Sequence, residues 1–201
     1  MSSIVVQTFI TLDGVMQAPG GSDEDVDDGF AHGGWQFRYG EGSGVDEVVT
    51  EWEQSTAALL LGRRTYDIFA RSWGVWDENA PGLEGEFTRI YNRIPKFVAS
   101  RTLTDPRWRN THVLVPDVPA AVDELRRRDL AGEIRVWGSS VLIRTLAAHN
   151  LIDEYRLVRY PIVLGSGKRL FGDGFPFTRF EMVARRPLGA GVNVEILRPV
   201  R

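Results

Sequence analysis

Two spacings of apolar residues alternate along this chain, one suited to strands and one to helices. Residues 4–12, IVVQTFITL, are dense in β-branched side chains and predict a first strand. An irregular stretch follows over 13–44, with glycine at 14, 20, 21, 29, 33, 34, 40, 42 and 44. Structureless segments beyond about 15 residues are uncommon in compact domains and are often functional lids. Val45, Val48, Val49 and Trp52 recur at helical spacing, so 45–56 predicts a helix. Residues 57–61, AALLL, predict a buried strand, and 64–71 a helix. A second irregular segment, 73–85, carries Trp73, Trp76 and Pro81; helix 84–92 then leads through Pro95 into strand 96–100, KFVAS. A short strand at 112–115 precedes helix 118–130, which has Val118, Ala121, Val122 and Leu125 on one stripe and Pro119 in its first turn. Strand 134–137, IRVW, runs into Gly138 and the helix SSVLIRTLAAHN. Residues 154–163 predict another strand, and 178–185 with 192–198 a hairpin around PLGAG.

Strands alternating with helices imply βαβ units, hence a mainly parallel sheet covered by helices on both faces. The closing hairpin adds an antiparallel edge. The chain shows no internal repeat and no low-complexity linker, and 201 residues suit one α/β domain over 1–201.

Charge narrows the function classes. With 24 basic and 27 acidic residues the formal net charge is −3, which argues against a nucleic-acid partner. Cysteine is absent, so disulfides, thiolate metal sites and a cysteine nucleophile are excluded. The start, MSSIVVQTFITLDG, has no basic region ahead of its apolar residues and does not read as a signal peptide. No apolar run approaches the roughly 20 residues that span a bilayer. A soluble, cytoplasmic protein without a membrane partner is expected.

Several familiar patterns fail on position. GSGKR at 165–169 has the Gly-Lys of a phosphate loop, but the earlier glycine would fall on Ile162, and Arg169 stands where Ser or Thr should be. The acidic run SDEDVDDG, read as a calcium loop from Asp23, has Asp28 at the sixth position and Gly34 at the twelfth, so it reads as a solvated loop. His32, His112 and His149 lack ligand spacing, so no metal is expected. Neither a G-x-S-x-G elbow nor a G-x-G-x-x-G fingerprint occurs. The arginines at 126–128 lie late in a helix, where positive charge complements the dipole.

Three strand ends remain. Gly62-Arg63-Arg64-Thr65 opens a helix after strand 57–61; Gly138-Ser139-Ser140 opens another after 134–137; Ser100-Arg101 lies at the exit of 96–100. In a parallel sheet these ends share one rim, where ligands bind and helix N-termini favour anions. Each junction alone also reads as ordinary helix-start chemistry with solvated arginines. Together they suit a ligand with several phosphates, such as a dinucleotide whose extra 2′-phosphate is gripped by Arg63, Arg64 or Arg101.

At these residues the sequence resembles a known family. LLLGRRTYDIF, VASRTL, VWGSSVLIRTL and YPIVLGSGKRLF, in that order, with FITLDGVM near the N-terminus, resemble the dihydrofolate reductase-like superfamily. The closer resemblance is to stand-alone members of the RibD C-terminal family, the reductase domain of riboflavin biosynthesis. It implies a single-domain, three-layer fold with a mixed, mainly parallel sheet of about eight strands, NADPH as cofactor, hydride transfer to a small-molecule substrate, and a homodimer. It further implies that Gly62, Arg63, Arg64 and Thr65 hold the adenosine-side phosphates, that Ser100 and Arg101 meet the 2′-phosphate, and that Gly138, Ser139, Ser140, Val141 and Leu142 line the pyrophosphate. Leu12, Asp13 and Gly14 fall on the loop that closes over the nicotinamide, which makes Asp13 a catalytic candidate and Leu12 and Gly14 substrate contacts, although Asp13-Gly14 also reads as a plain turn. Asp46 stands where folate-type reductases carry a proton-relaying carboxylate, and reads equally as a solvated acid at a helix start. Trp35, Phe37 and Tyr39 alternate, so their rings would share one face, as a substrate lid or a contact with a partner subunit. Gly165 and Gly167 shape a turn beside the site. The activity implied is reduction of a small heterocyclic or sugar-phosphate substrate such as 5-amino-6-(5-phosphoribosylamino)uracil; a pteridine reductase and a non-catalytic NADPH-binding sensor are the alternatives.

Overall fold

The computed structural model describes residues 1–39 and 42–201; Gly40 and Glu41, within the predicted irregular stretch, lie outside the described residues. The strands are β1 (Ile4–Thr11), β2 (Thr56–Gly62), β3 (Lys96–Ala99), β4 (Thr111–Leu114), β5 (Glu133–Trp137), β6 (Glu154–Tyr160), β7 (Phe180–Pro187) and β8 (Asn193–Pro199). The α-helices among the described residues are α1 (Val45–Glu53), α2 (Arg63–Arg71), α3 (Leu83–Arg93), α4 (Val118–Arg127) and α5 (Ser140–Ala148). All eight strands form one sheet in the order β4-β3-β2-β5-β1-β6-β8-β7. Pairing is parallel from β4 to β6, whereas β8 runs antiparallel to both of its neighbours. This is the mixed sheet with an antiparallel C-terminal hairpin that the sequence predicts.

Alternation along the strands divides the core in two. Ile4, Val6, Leu60, Ile134 and Leu157 face α4 and α5, meeting Val122, Leu125, Ile143 and Leu146. Leu59, Leu61, Val98 and Val158 face the other way, toward Val49 and Trp52 of α1, Tyr66 of α2 and Tyr91 of α3. Both faces are therefore covered, as continuous apolar runs in a parallel sheet require. Asp117 caps α4, its carboxylate accepting the Ala120 N–H at 3.1 Å, and a proline occupies the first turn.

Predicted and observed boundaries differ where a polar residue is drawn into the sheet. The helix predicted over 45–56 stops at Glu53, because Thr56 pairs with Glu133 in the sheet. The strand predicted over 154–163 stops at Tyr160, and Pro161 follows. Among the described residues no helix is long and apolar enough to cross a membrane.

Candidate functional site

The carboxyl ends of β2 and β5 are joined by one hydroxyl group. Ser139 Oγ accepts the Gly62 N–H at 2.9 Å, lies 3.0 Å from Thr65 Oγ1, and donates to the Trp137 carbonyl at 2.9 Å. Ser139 holds a left-handed conformation, φ 62°, which L-residues rarely adopt. Gly138 before it has φ 51°, and a Cβ there would sit 2.9 Å from Thr65 Oγ1, so the close approach of the two turns requires glycine. The helices that open here, α2 and α5, carry no side-chain cap on their first turns. Their leading N–H groups thus stay available beside each other at the rim.

The third junction is built differently. Ser100 Oγ accepts the N–H groups of Thr102 and Leu103, at 3.2 and 3.0 Å, and so shapes the turn after β3. Arg101 is exposed. Arg63 is held by Asp67 one helical turn on, at 2.8 Å, and its Nη1 lies 3.4 Å from Thr102 Oγ1, toward that same turn.

Arg64 leaves in another direction. It pairs with Asp25, at 3.4 Å, and with Asp27. Lys168 holds the same two carboxylates at 2.6 and 2.7 Å. The acidic run is therefore not a solvated loop: it is a latch between the segment after β1, the 165–169 turn and the start of α2. Arg64, read from the sequence as a phosphate ligand, is engaged by the protein's own carboxylates.

Asp13 fastens the same region. Its carboxylate accepts the Thr11 hydroxyl at 2.6 Å and the Gly165 and Leu164 N–H groups at 2.9 and 3.3 Å, with Arg169 3.5 Å away. Burial works to raise its pKa, but the hydrogen bonds from Thr11, Gly165 and Leu164 prevail and hold it below the usual carboxylate range. A carboxylate so held is a poor proton donor, so Asp13 positions the loop. Gly167 lets that turn pack closely, since a Cβ there would meet Phe30 and Val15 at 2.8 Å. Gly14 occupies the turn after β1 with φ 77°, and Leu12 is exposed at the rim.

Trp35 is completely buried, its Nε1 donating to the Gln17 carbonyl at 2.8 Å and its ring edge-on to Tyr160 at 5.2 Å. It supports the site from below and does not line it. Residues 35–39 form a 3-10 helix, so Trp35 and Tyr39 both reach Tyr160 while Phe37 is exposed; the three rings do not share a face. Asp46 is exposed in the first turn of α1, where its charge adds to burial in raising the pKa of Tyr160.

The sequence reading did not single out the floor beside the Gly138 turn. Half-buried Phe9 meets Trp137 edge-on at 5.6 Å and Tyr160 at 5.9 Å, and Phe69 of α2 lies 6.4 Å from Trp137. The Trp137 indole is oriented by Glu53, which accepts its N–H at 3.1 Å and that of Gln7 at 3.3 Å. Glu53 is buried, and burial raises its pKa against the opposing charge of Arg135. Trp137 stands one residue before the Gly138 junction, and Phe9 follows from strict alternation along β1; those were the available signals.

The model of the RibD C-terminal domain family matches residues 2–194. The chain belongs to the RibD C-terminal domain family. Like other likenesses at this level, the remaining ones bear mainly on its fold. This RibD C-terminal domain is 28% identical over 192 residues to YyaP of Bacillus subtilis (strain 168), named as uncharacterised, covering 94% of this chain and 90% of YyaP. A Shewanella sp. PV-4 structure named for riboflavin biosynthesis superposes with a TM-score of 0.74 at 19% identity, covering 99% of both chains. Dihydrofolate reductase from Enterococcus faecalis, complexed with NADP(H), superposes with a TM-score of 0.57 at 12% identity, covering 99% of this chain and 97% of that one. The dihydrofolate reductase-like architecture read from the motifs is thereby established.

Proposed function

We propose that this RibD C-terminal domain is an NADPH-dependent reductase of a small heterocyclic or sugar-phosphate substrate, of the kind that reduces 5-amino-6-(5-phosphoribosylamino)uracil. The observation that carries the reading is the hydroxyl bridge from Ser139 to Gly62 and Thr65, which sets two uncapped helix starts side by side at the rim. The groups present suit a dinucleotide: paired N-terminal dipoles for its phosphates, a left-handed glycine that admits close backbone approach, and an aromatic floor next to them. Family membership and the NADP(H)-bound dihydrofolate reductase of like fold support it. When bound, NADPH supplies a hydride.

The chain's own residues would supply binding, orientation and a proton. The first turns of α2 and α5, with Thr65 and Ser140, would hold the phosphates, and Arg63 and Arg101 would select the 2′-phosphate. Phe9 and Trp137, packed edge to face, would offer an apolar wall to a planar ring, with Glu53 fixing the indole. Asp46, whose charge is felt at Tyr160, would be the candidate to pass a proton inward, and Asp13 would fix the loop after β1 against the turn at 165.

Titration with NADPH is expected to quench tryptophan fluorescence, with saturation below millimolar cofactor. Adding the pyrimidine substrate should then consume NADPH absorbance. Absence of cofactor binding at millimolar NADPH refutes the reading, and binding without turnover on pyrimidine and pteridine substrates assigns a non-catalytic role.

A further inference from the structure

A second cleft lies at the opposite end of the strands from the rim. Its volume is about 270 Å³, and it opens between the end of α5, the start of β6 and the segment that leads into β7. Tyr155 on its wall stands five residues before Tyr160, so about 17 Å of strand separates the cleft from the rim. That volume falls below the roughly 300–1,000 Å³ of clefts that hold drug-sized ligands. A dinucleotide is therefore too large for it, and a one-ring molecule is not.

Apolar walls and unpaired donors meet in this cleft. Ile152, Phe177 and Pro199 line it with Tyr155, and no carboxylate is among the lining residues. Tyr155 is only 1% exposed, yet among the described residues its hydroxyl has no hydrogen-bond partner. Burial alone raises its pKa, so the hydroxyl stays protonated and can donate. Asn150 closes α5 in a left-handed conformation, φ 53°, where the Asn150 and Leu151 N–H groups bond back to the Ala147 and Leu146 carbonyls. Glycine is the usual residue at that point; asparagine keeps the turn and adds a side-chain amide at the cleft. Among the described residues Arg179 takes part in no ion pair, whereas Arg201 is engaged by Asp153 at 2.9 Å. Phe177 is 94% exposed and pairs with no other ring among the described residues, although Phe171, Phe175 and Phe180 all do.

We infer that this cleft binds a small aromatic carboxylate: a single ring with an acid at one end and a hydroxyl or carbonyl oxygen at the other. The guanidinium of Arg179 takes the carboxylate at the mouth, with the Asn150 amide beside it. The Tyr155 hydroxyl donates to the oxygen at the inner end. A buried donor without a partner is a costly state, and such a ligand relieves it. The bare ring of Phe177 covers the ligand by stacking. A cationic ligand would meet Arg179 and no carboxylate to oppose it. The site does not depend on what the rim binds.

Nuclear magnetic resonance with 4-hydroxybenzoate tests the site. Amide shifts should move at residues 147–155 and 177–179 and saturate with a dissociation constant of about 1 mM or below, the scale of a well-seated ligand of about ten non-hydrogen atoms. Residues 62–65 and 138–140 should stay still, and saturating NADPH should change the constant by less than about twofold. Y155F, which keeps the ring, and R179Q should each weaken binding about fivefold, and N150G, which keeps the left-handed turn, about threefold. Because the Tyr155 hydroxyl has no partner in the free protein, Y155F should melt no lower than the native chain. Hexanoate, an acid without a ring, should bind at least about fivefold more weakly. Lack of a saturable shift at about 10 mM 4-hydroxybenzoate, shifts centred on the rim, equal binding of hexanoate, or unchanged affinity in both Y155F and R179Q would each overturn the inference.

Discussion

Arg63 and Arg64 are neighbours in sequence and opposites in structure. A helix turns about 100° per residue, so consecutive side chains at the start of α2 diverge. Arg63 leans toward the turn after β3, 3.4 Å from Thr102, whereas Arg64 is drawn to Asp25 and Asp27. If the exit of β3 reads a 2′-phosphate, only one of the two arginines is placed to do it, with Arg101 beside it. R63A and R101A are each expected to weaken NADPH about tenfold, the scale of one partly solvated charge-assisted hydrogen bond, and to change NADH binding less than about twofold. R64A should instead weaken both cofactors alike and speed hydrogen exchange at residues 25–27, since it loosens the latch. Isothermal titration with the two cofactors checks the first expectation. Equal losses of NADPH and NADH in R63A would remove Arg63 from the reading.

At the scale of elements, the site depends on two strand-to-helix turns that are 77 residues apart in sequence and share one hydroxyl. Ser139→Ala leaves the Gly62 N–H without its partner, so a loss of about 1–3 kcal/mol is expected in urea unfolding. NADPH binding should fall as well, because α2 and α5 lose their common fixing point; S139T, which keeps the hydroxyl, should recover part of both. Unaltered binding in S139A would separate the bridge from the cofactor site. The strand-helix order and the three junctions were legible because they rest on local signals: β-branched runs, glycine at turns, an aspartate cap with proline behind it. Long-range side-chain pairing was not. Nothing local says that Asp25 and Asp27 will find Arg64 and Lys168, that Trp35 will sink beneath Tyr160, or that Asp13 will be fastened by the N–H groups of residues 164 and 165. Lys96 shows the same gap: it opens β3, yet it is buried, with Nζ donating to the Tyr91 and Ile94 carbonyls at 2.8 and 3.0 Å.

Across the whole molecule the sheet carries the paired helix starts of α2 and α5 at one rim and a row of ion pairs across β8, β6 and β5. Arg198 pairs with Glu154, Glu154 with Arg156, Arg156 with Glu133, and Glu133 with Arg135, on strands β8, β6 and β5. Arg135 is completely buried, reaches the Trp52 carbonyl at 2.8 Å, and bonds Gln7, which in turn donates to Glu53. The row therefore ends under the Trp137 floor, and the site's orientation draws on the core charges. Arg135→Met should cost about 3–5 kcal/mol, because it leaves buried Glu53 without its opposing charge, whereas Glu133 keeps Arg156. E53Q separates the two contributions by pH. Burial raises the pKa of folded Glu53 above its unfolded value near 4.5, so the folded protein holds this proton longer than the unfolded chain does. The stability linked to it is fully present below about 4.5 and is lost as pH rises through the folded pKa. Between those limits native stability should fall with pH relative to E53Q, which cannot titrate and still accepts the Trp137 N–H. Parallel stability curves for native protein and E53Q from pH 4 upward would show that folding leaves the Glu53 pKa unshifted, and would overturn the expectation.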